Sequence, residues 1–115
     1  MSAQVQDNAA PDEVTRPGPA LRAALSREQA EDTASILRVV SDPTRLQLLS
    51  LIHERETGRA RVGELTQALE LRQPTVSHHL KVMTEAGIVH RDPVGREVWY
   101  SIVADRLTAI ADLLR

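Results

Sequence analysis

Residues 71–100 read LRQPTVSHHLKVMTEAGIVHRDPVGREVWY, and the change of period midway along this stretch decides the fold. Up to Glu85 the apolar residues recur every three or four positions, the spacing that gathers them on one side of an α-helix. Val76, Leu80, Met83 and Gly87 share that side, Pro74, His78, Lys81 and Glu85 fall opposite, and Thr75 and Ser77 lie on the flanks. Pro74 suits a first helical turn, where an N–H would have no partner, and Gly87 can adopt the left-handed conformation that stops a helix. Beyond Gly87 the pattern becomes that of strands. IVHR (88–91) and EVWYSI (97–102) are rich in Val, Ile, Trp and Tyr and are separated by DPVG (92–95), read as a turn built on Pro and Gly. A helix followed by a hairpin is a helix with a wing.

Other helices precede it. VGELTQALEL (62–71) reads as a short helix with Leu65 and Leu69 four apart, and only ELRQ (70–73) joins it to the next. A linker this short forces a steep crossing, which makes the pair a helix-turn-helix. Upstream, SDPTRLQLLSLIHE (41–54) starts at Asp42, whose carboxylate can accept from the first-turn amides, with Pro43 in the first helical position. Leu46, Leu48, Leu49 and Ile52 make that helix apolar over much of its surface, and RETGRAR (55–61) follows as a polar loop.

LSREQAEDTASILRVVSD (25–42) carries Ser26 as an N-cap and Ala30, Ala34, Leu37 and Val40 at helical spacing, predicting a first helix over 27–41. The last segment, VADRLTAIADLLR (103–115), places Leu107, Ile110, Leu113 and Leu114 on one side of a helix. It has little of its own subunit to cover, so it is expected to pack on the first helix and on a partner. The expected architecture is mainly α with a small β-hairpin: a winged helix-turn-helix forming a homodimer through its first and last helices.

Composition narrows the function. The chain has 115 residues and no cysteine, which removes disulfides, thiolate metal sites and thiol chemistry. Residues 1–20, with Pro11, Pro17 and Pro19 among small polar groups, are expected to be a disordered tail, and 21–115 the winged domain with its dimerisation helices. A folding unit this small is commonly supplemented by subunit pairing. There is neither a long uncharged apolar run nor a secretory signal, so a cytoplasmic protein without a membrane segment is expected.

The net charge of -2 gives no global attraction to nucleic acid, but its distribution is uneven. From Met1 to Ser35 three arginines face six acidic residues; from Leu71 to Arg96 four basic residues face only Glu85 and Asp92. An α-helix fits the major groove of B-DNA with its leading turns near the base edges. Gln73, Thr75, Ser77 and His78 are therefore the base-contact candidates. Arg72 and Lys81 suit phosphates, and Arg91 and Arg96, beside the wing turn, suit the backbone or minor groove. His79 lies nearer the core side and is expected to play a hydrogen-bonded supporting role.

The pair His78–His79 does not make a metal site, because neighbours on a helix diverge by about 100° and positions 75 and 82 are Thr and Val. His53, Glu54 and His90 are the weak metal candidates that remain, and no cofactor is predicted. No nucleophile with an adjacent base or perturbed acid–base pair stands at suggestive spacing, so an enzyme is not expected. The rival reading is a winged helix used for protein interaction or dimerisation, favoured if the outer face of the fourth helix were covered or acidic.

The segments LRVVSDPTRLQLLSLI, VGELTQALELRQPTVSHHLKVMTEAGIVHR and GREVWYSI, in this order, closely resemble bacterial ArsR/SmtB-type winged helix-turn-helix repressors. The resemblance covers roughly Ala34 to Ala109. It implies a homodimer paired through the first and last helices, bound to a palindromic double-stranded operator and released by an inducer. Asp42, Pro43 and Arg45 match the start of the family's second helix. Gln73, Thr75, Val76, Ser77, His79 and Leu80 match its recognition helix, and Gly95, Arg96 and Tyr100 its wing. The family's effector sites are where the chain departs. Its thiolate sensors cannot exist without cysteine, and its zinc-type site on the last helix would find Asp105 and Asp112, no histidine, and Arg106 in a ligand position.

Overall fold

The computed structural model describes residues 25–113, and five helices and three strands follow in the order α1 (Arg27–Val40), α2 (Pro43–Glu54), β1 (Arg59–Arg61), α3 (Val62–Leu69), α4 (Gln73–Glu85), β2 (Val89–Val94), β3 (Glu97–Ile102) and α5 (Ala104–Leu113). The expected boundary between residues 20 and 21, and the side-chain readings for Leu113 and Leu114, lie outside the described residues.

The helix starts are those the capping residues dictate. Ser26 Oγ accepts from the Gln29 amide at 3.1 Å while the Gln29 side chain accepts from the Ser26 amide at 2.9 Å, a reciprocal pair that opens α1. Asp42 Oδ1 accepts from the Arg45 amide at 3.0 Å and Pro43 fills the first position of α2. Glu70 ends α3 in the left-handed region at φ 55°, with the Leu71 N–H bonded to the Thr66 carbonyl at 3.3 Å. The chain thereby reverses into α4 within a few residues. At the far end of α4, Gly87 at φ +75° donates to the Thr84 carbonyl and Ile88 to that of Met83, the two bonds of a Schellman stop.

One core holds these elements. Leu48 and Ile52 from α2, Leu65 from α3, Val76, Leu80 and Met83 from α4, and Ile88 beyond it are all fully or almost fully buried. Two apolar positions of the helical stripes do not face this core. Leu37 of α1 is 44% exposed, its neighbour Ile36 taking the core position, and Leu46 of α2 is 52% exposed. The 100° step of the helix explains both: Ile36 turns inward on α1, as Leu48, Leu49 and Ile52 do on α2, which carries Leu37 and Leu46 outward.

The sheet corrects two further expectations. The polar loop at 55–61 contains a strand: β1 pairs antiparallel with β3, Ala60 opposite Tyr100, so the wing hairpin is part of a three-stranded sheet in the order β1-β3-β2. The turn is not DPVG. Val94 pairs with Glu97, leaving Gly95 and Arg96 as a two-residue connection, with Gly95 at the φ of +64° that such tight hairpins require. Asp92 and Pro93 belong to β2, an edge strand, where a residue without an N–H is tolerated.

Candidate nucleic-acid interface

The exposed surface of α4 is assembled by its own periodicity. Val76, Leu80 and Met83 are buried to zero exposure, and with that side anchored, Gln73, Pro74, Thr75, His78 and Lys81 stand in solvent. Ser77, on the flank, is half-buried, so its hydroxyl is less available than those of the other base-contact candidates. No side chain caps the start of α4; Pro74 has no N–H to satisfy, and the Thr75 and Val76 amides donate to the Arg72 carbonyl at 3.0 and 3.2 Å.

His79 occupies the supporting position expected of it: it is half-buried, and its Nδ1 accepts from Arg45 Nε at 3.1 Å. The same arginine donates from Nη1 to the Val39 carbonyl at 3.0 Å. Sequence reasoning noted Arg45 only as part of the α2 start. The signal that could have found its role was an arginine in the first turn of α2, a helix whose buried residues share one core with those of α4.

The basic candidates share one property. The ion pairs among the described residues join Arg27 to Glu31 on α1, and Arg55, Arg61, Glu64 and Glu97 around the root of the sheet. Arg72, Lys81, Arg91 and Arg96 belong to none of these pairs and are all exposed. Arg96 forms the hairpin tip with Gly95. Arg91 does not flank the turn; it sits in mid-strand opposite Tyr100, hence on the sheet face that packs against the helices.

Trp99 projects from the opposite face, under two guanidinium groups, Arg59 at 4.4 Å and Arg61 at 5.1 Å from its ring centroid. Arg61 is also held by Glu97, whose carboxylate pushes the guanidinium pKa further up. This stack fixes the root of the wing.

The weak metal candidates are dispersed. His53 and Glu54 are exposed at the end of α2, and His90 stands on β2 opposite Ser101. Among the described residues no three His, Asp or Glu side chains gather into a group that could hold a metal ion.

A helix-turn-helix whose second helix bares a polar leading face, followed by a hairpin with a basic tip, defines a winged helix-turn-helix DNA-binding protein. A family model described as bacterial regulatory protein, arsR family, matches residues 42–91, from the α2 cap into β2. An HTH-type transcriptional regulator of Methanocaldococcus jannaschii is 39% identical over 87 residues, covering 76% of this chain and 96% of that one. The biofilm growth-associated repressor of Agrobacterium fabrum is 32% identical, covering 76% and 72% respectively. The crystal structure of the transcriptional repressor PagR of Bacillus anthracis superposes with a TM-score of 0.65 at 30% identity, over 78% of this chain and all of that one. The chain belongs to the ArsR family of bacterial regulatory proteins, and it is a DNA-binding transcriptional regulator. Its relatives carry the names of regulators, not of enzymes.

Proposed function

We propose that this protein is a cytoplasmic, homodimeric repressor that reads a palindromic double-stranded operator through α4 and leaves it when an effector binds. The observation that carries the reading is the division of α4 into a side of zero exposure and a polar side left bare. Gln73, Thr75, Ser77 and His78 contact base edges, Gln73 being suited to adenine. Arg72, Lys81, Arg91 and Arg96 contact the sugar–phosphate backbone or, at the wing tip, the minor groove. The cytoplasm is where such an operator would be met, and no helix among the described residues is long and apolar enough to cross a membrane.

Pairing through α1 and α5 is supported by apolar surface that a lone subunit leaves open. Leu37 on α1 and Leu46 on α2 are exposed, and a cleft of about 660 Å³ runs between α2, β3 and α5 past Leu46, Leu49, Ile102 and Leu107. A two-fold dimer presents its two reading helices about 34 Å apart, one turn of B-DNA.

The test is selection of duplexes from a randomised pool by the purified full chain, repeated with a panel of metal salts and metabolites. Enrichment of an inverted repeat that one panel member abolishes is expected. Recovery of no preferred sequence at moderate salt would leave a protein-interaction module as the better account.

A further inference from the structure

Close packing of the core side of α4 sets the depth of that helix and its approximate rotation. Val76, Leu80 and Met83 are aliphatic or thioether side chains whose contacts are non-directional. A rotation of about 20° at the outer radius of a helix, about 5–6 Å, moves a side-chain tip by about 2 Å. A hydrogen bond to a base edge does not survive such a shift. A directional bond holds the angle more tightly than packing alone.

Among the described residues, Arg45 supplies directional bonds of this kind. Its amide donates to Asp42 Oδ1 at 3.0 Å, its Nε to His79 Nδ1 at 3.1 Å, and its Nη1 to the Val39 carbonyl at 3.0 Å. A single residue in the first turn of α2 therefore ties the last turn of α1 to the middle of α4. The two side-chain bonds use different nitrogens of one rigid planar group, so the donor directions are fixed relative to each other; an ammonium on a flexible stem could not reproduce them. His79 is the immediate neighbour of His78 on the helix, so the angle set at one is shared by the other. The linkage is partly buried, where a bond between polar groups weighs more than in open solvent.

We infer that Arg45 is a positioning residue for DNA reading: by bonding His79 and the Val39 carbonyl together it sets the rotational angle of α4 against α1. A displacement of α1 is transmitted through the same side chain to the turn that carries Thr75 and His78. The inference rests on the DNA-reading role of α4 proposed above.

Full-length Arg45→Met, His79→Leu, His79→Asn and the Arg45→Met/His79→Leu double variant test it, against the duplex enriched by the wild-type protein and against a random duplex. Arg45→Met is expected to lower the ratio of selected to random affinity about tenfold, the scale of one lost base contact, without changing the salt slope. His79→Leu should match it, the double variant should be no worse than either, and His79→Asn, whose Oδ1 stands where Nδ1 does and can accept from Nε, should retain the ratio. Long-range proton–nitrogen spectra of the histidine rings give a DNA-free readout, in which the acceptor signature of His79 Nδ1 disappears in Arg45→Met. The inference is overturned if Arg45→Met keeps the ratio, if both duplexes weaken equally in step with a fallen melting temperature, or if His79→Asn behaves as His79→Leu. A wild-type protein that enriches no sequence would instead remove the DNA-reading role itself, and the inference with it.

Discussion

The Ile88 amide donates to the Met83 carbonyl at 2.9 Å, and this bond across the end of α4 exists because Gly87 between them holds φ at +75°. A Cβ at Gly87 would also meet Arg106 Nη2 of α5 at 3.2 Å. Gly87→Ala is expected to destabilise the fold by about 1–2 kcal/mol, the cost of left-handed backbone for a residue with a Cβ. Gly63, in α3, has open space and no positive φ, and Gly63→Ala should stabilise by about 0.5 kcal/mol. Urea unfolding of both variants checks the contrast, and equal midpoints would contradict it.

Acid should weaken the fold through two capping carboxylates. The Arg45 amide holds the Asp42 carboxyl below the usual carboxylate range, and the Arg61 amide, bonded to Glu64 at 2.9 Å and helped by the Arg55 and Arg61 charges, does the same to Glu64. Both folded-state values lie below the unfolded ones, so the native state binds fewer protons. Their stabilisation is complete above the ordinary carboxylate range and is lost as pH falls through the depressed values. Their joint contribution to the melting temperature, read as the difference between wild type and variants, should be level from pH 7 to about 5 and decline below about pH 4. Asp42→Asn, which keeps the cap, and Glu64→Gln should each flatten that decline.

Substitutions on the reading surface should separate specificity from affinity. Gln73→Ala or Thr75→Ala is expected to cost about 1–3 kcal/mol at particular base pairs and little on random duplex. Arg96→Ala should weaken all duplexes alike and reduce the salt slope by about one. Titrations at several salt concentrations decide it, and identical profiles for the three variants would refute the division of labour.

Leu37→Glu places a charge on exposed apolar surface of α1 without entering the core, since Ile36 holds the inward position. Sedimentation should show a shift from dimer to monomer at unchanged helix content. Affinity for a two-half-site duplex should fall further than for a single half-site. A protein that remains dimeric would exclude this face of α1 from the subunit contact.

What could be read from the chain was what local chemistry controls. Ser26, Asp42, Pro43 and Gly87 mark helix ends because the groups they satisfy lie within a few residues, and the 3.6-residue period of α4 already sorts its inward side chains from its outward ones. β1 was illegible for the opposite reason. Arg59-Ala60-Arg61 has one apolar residue and no strand period of its own; it is a strand because β3, some forty residues on, offers an edge and Trp99 a surface for two guanidinium groups. The turn was misplaced because Pro93 signals a bend locally, whereas the register of the whole hairpin sets the connection two residues later. Leu37 and Leu46 fit a helical stripe, but periodicity does not distinguish a face turned to the core from one turned to another molecule.

Pro93 carries one further consequence. It sits opposite Val98 in the pair next to the closing Val94–Glu97 pair, and the alternation of an antiparallel ladder then turns its backbone nitrogen away from β3, toward the free margin of the sheet. That margin is missing a donor where a foreign strand would have to begin zipping. A second copy pairing along that edge would meet a position that cannot donate, a safeguard against aggregation built from one imino acid.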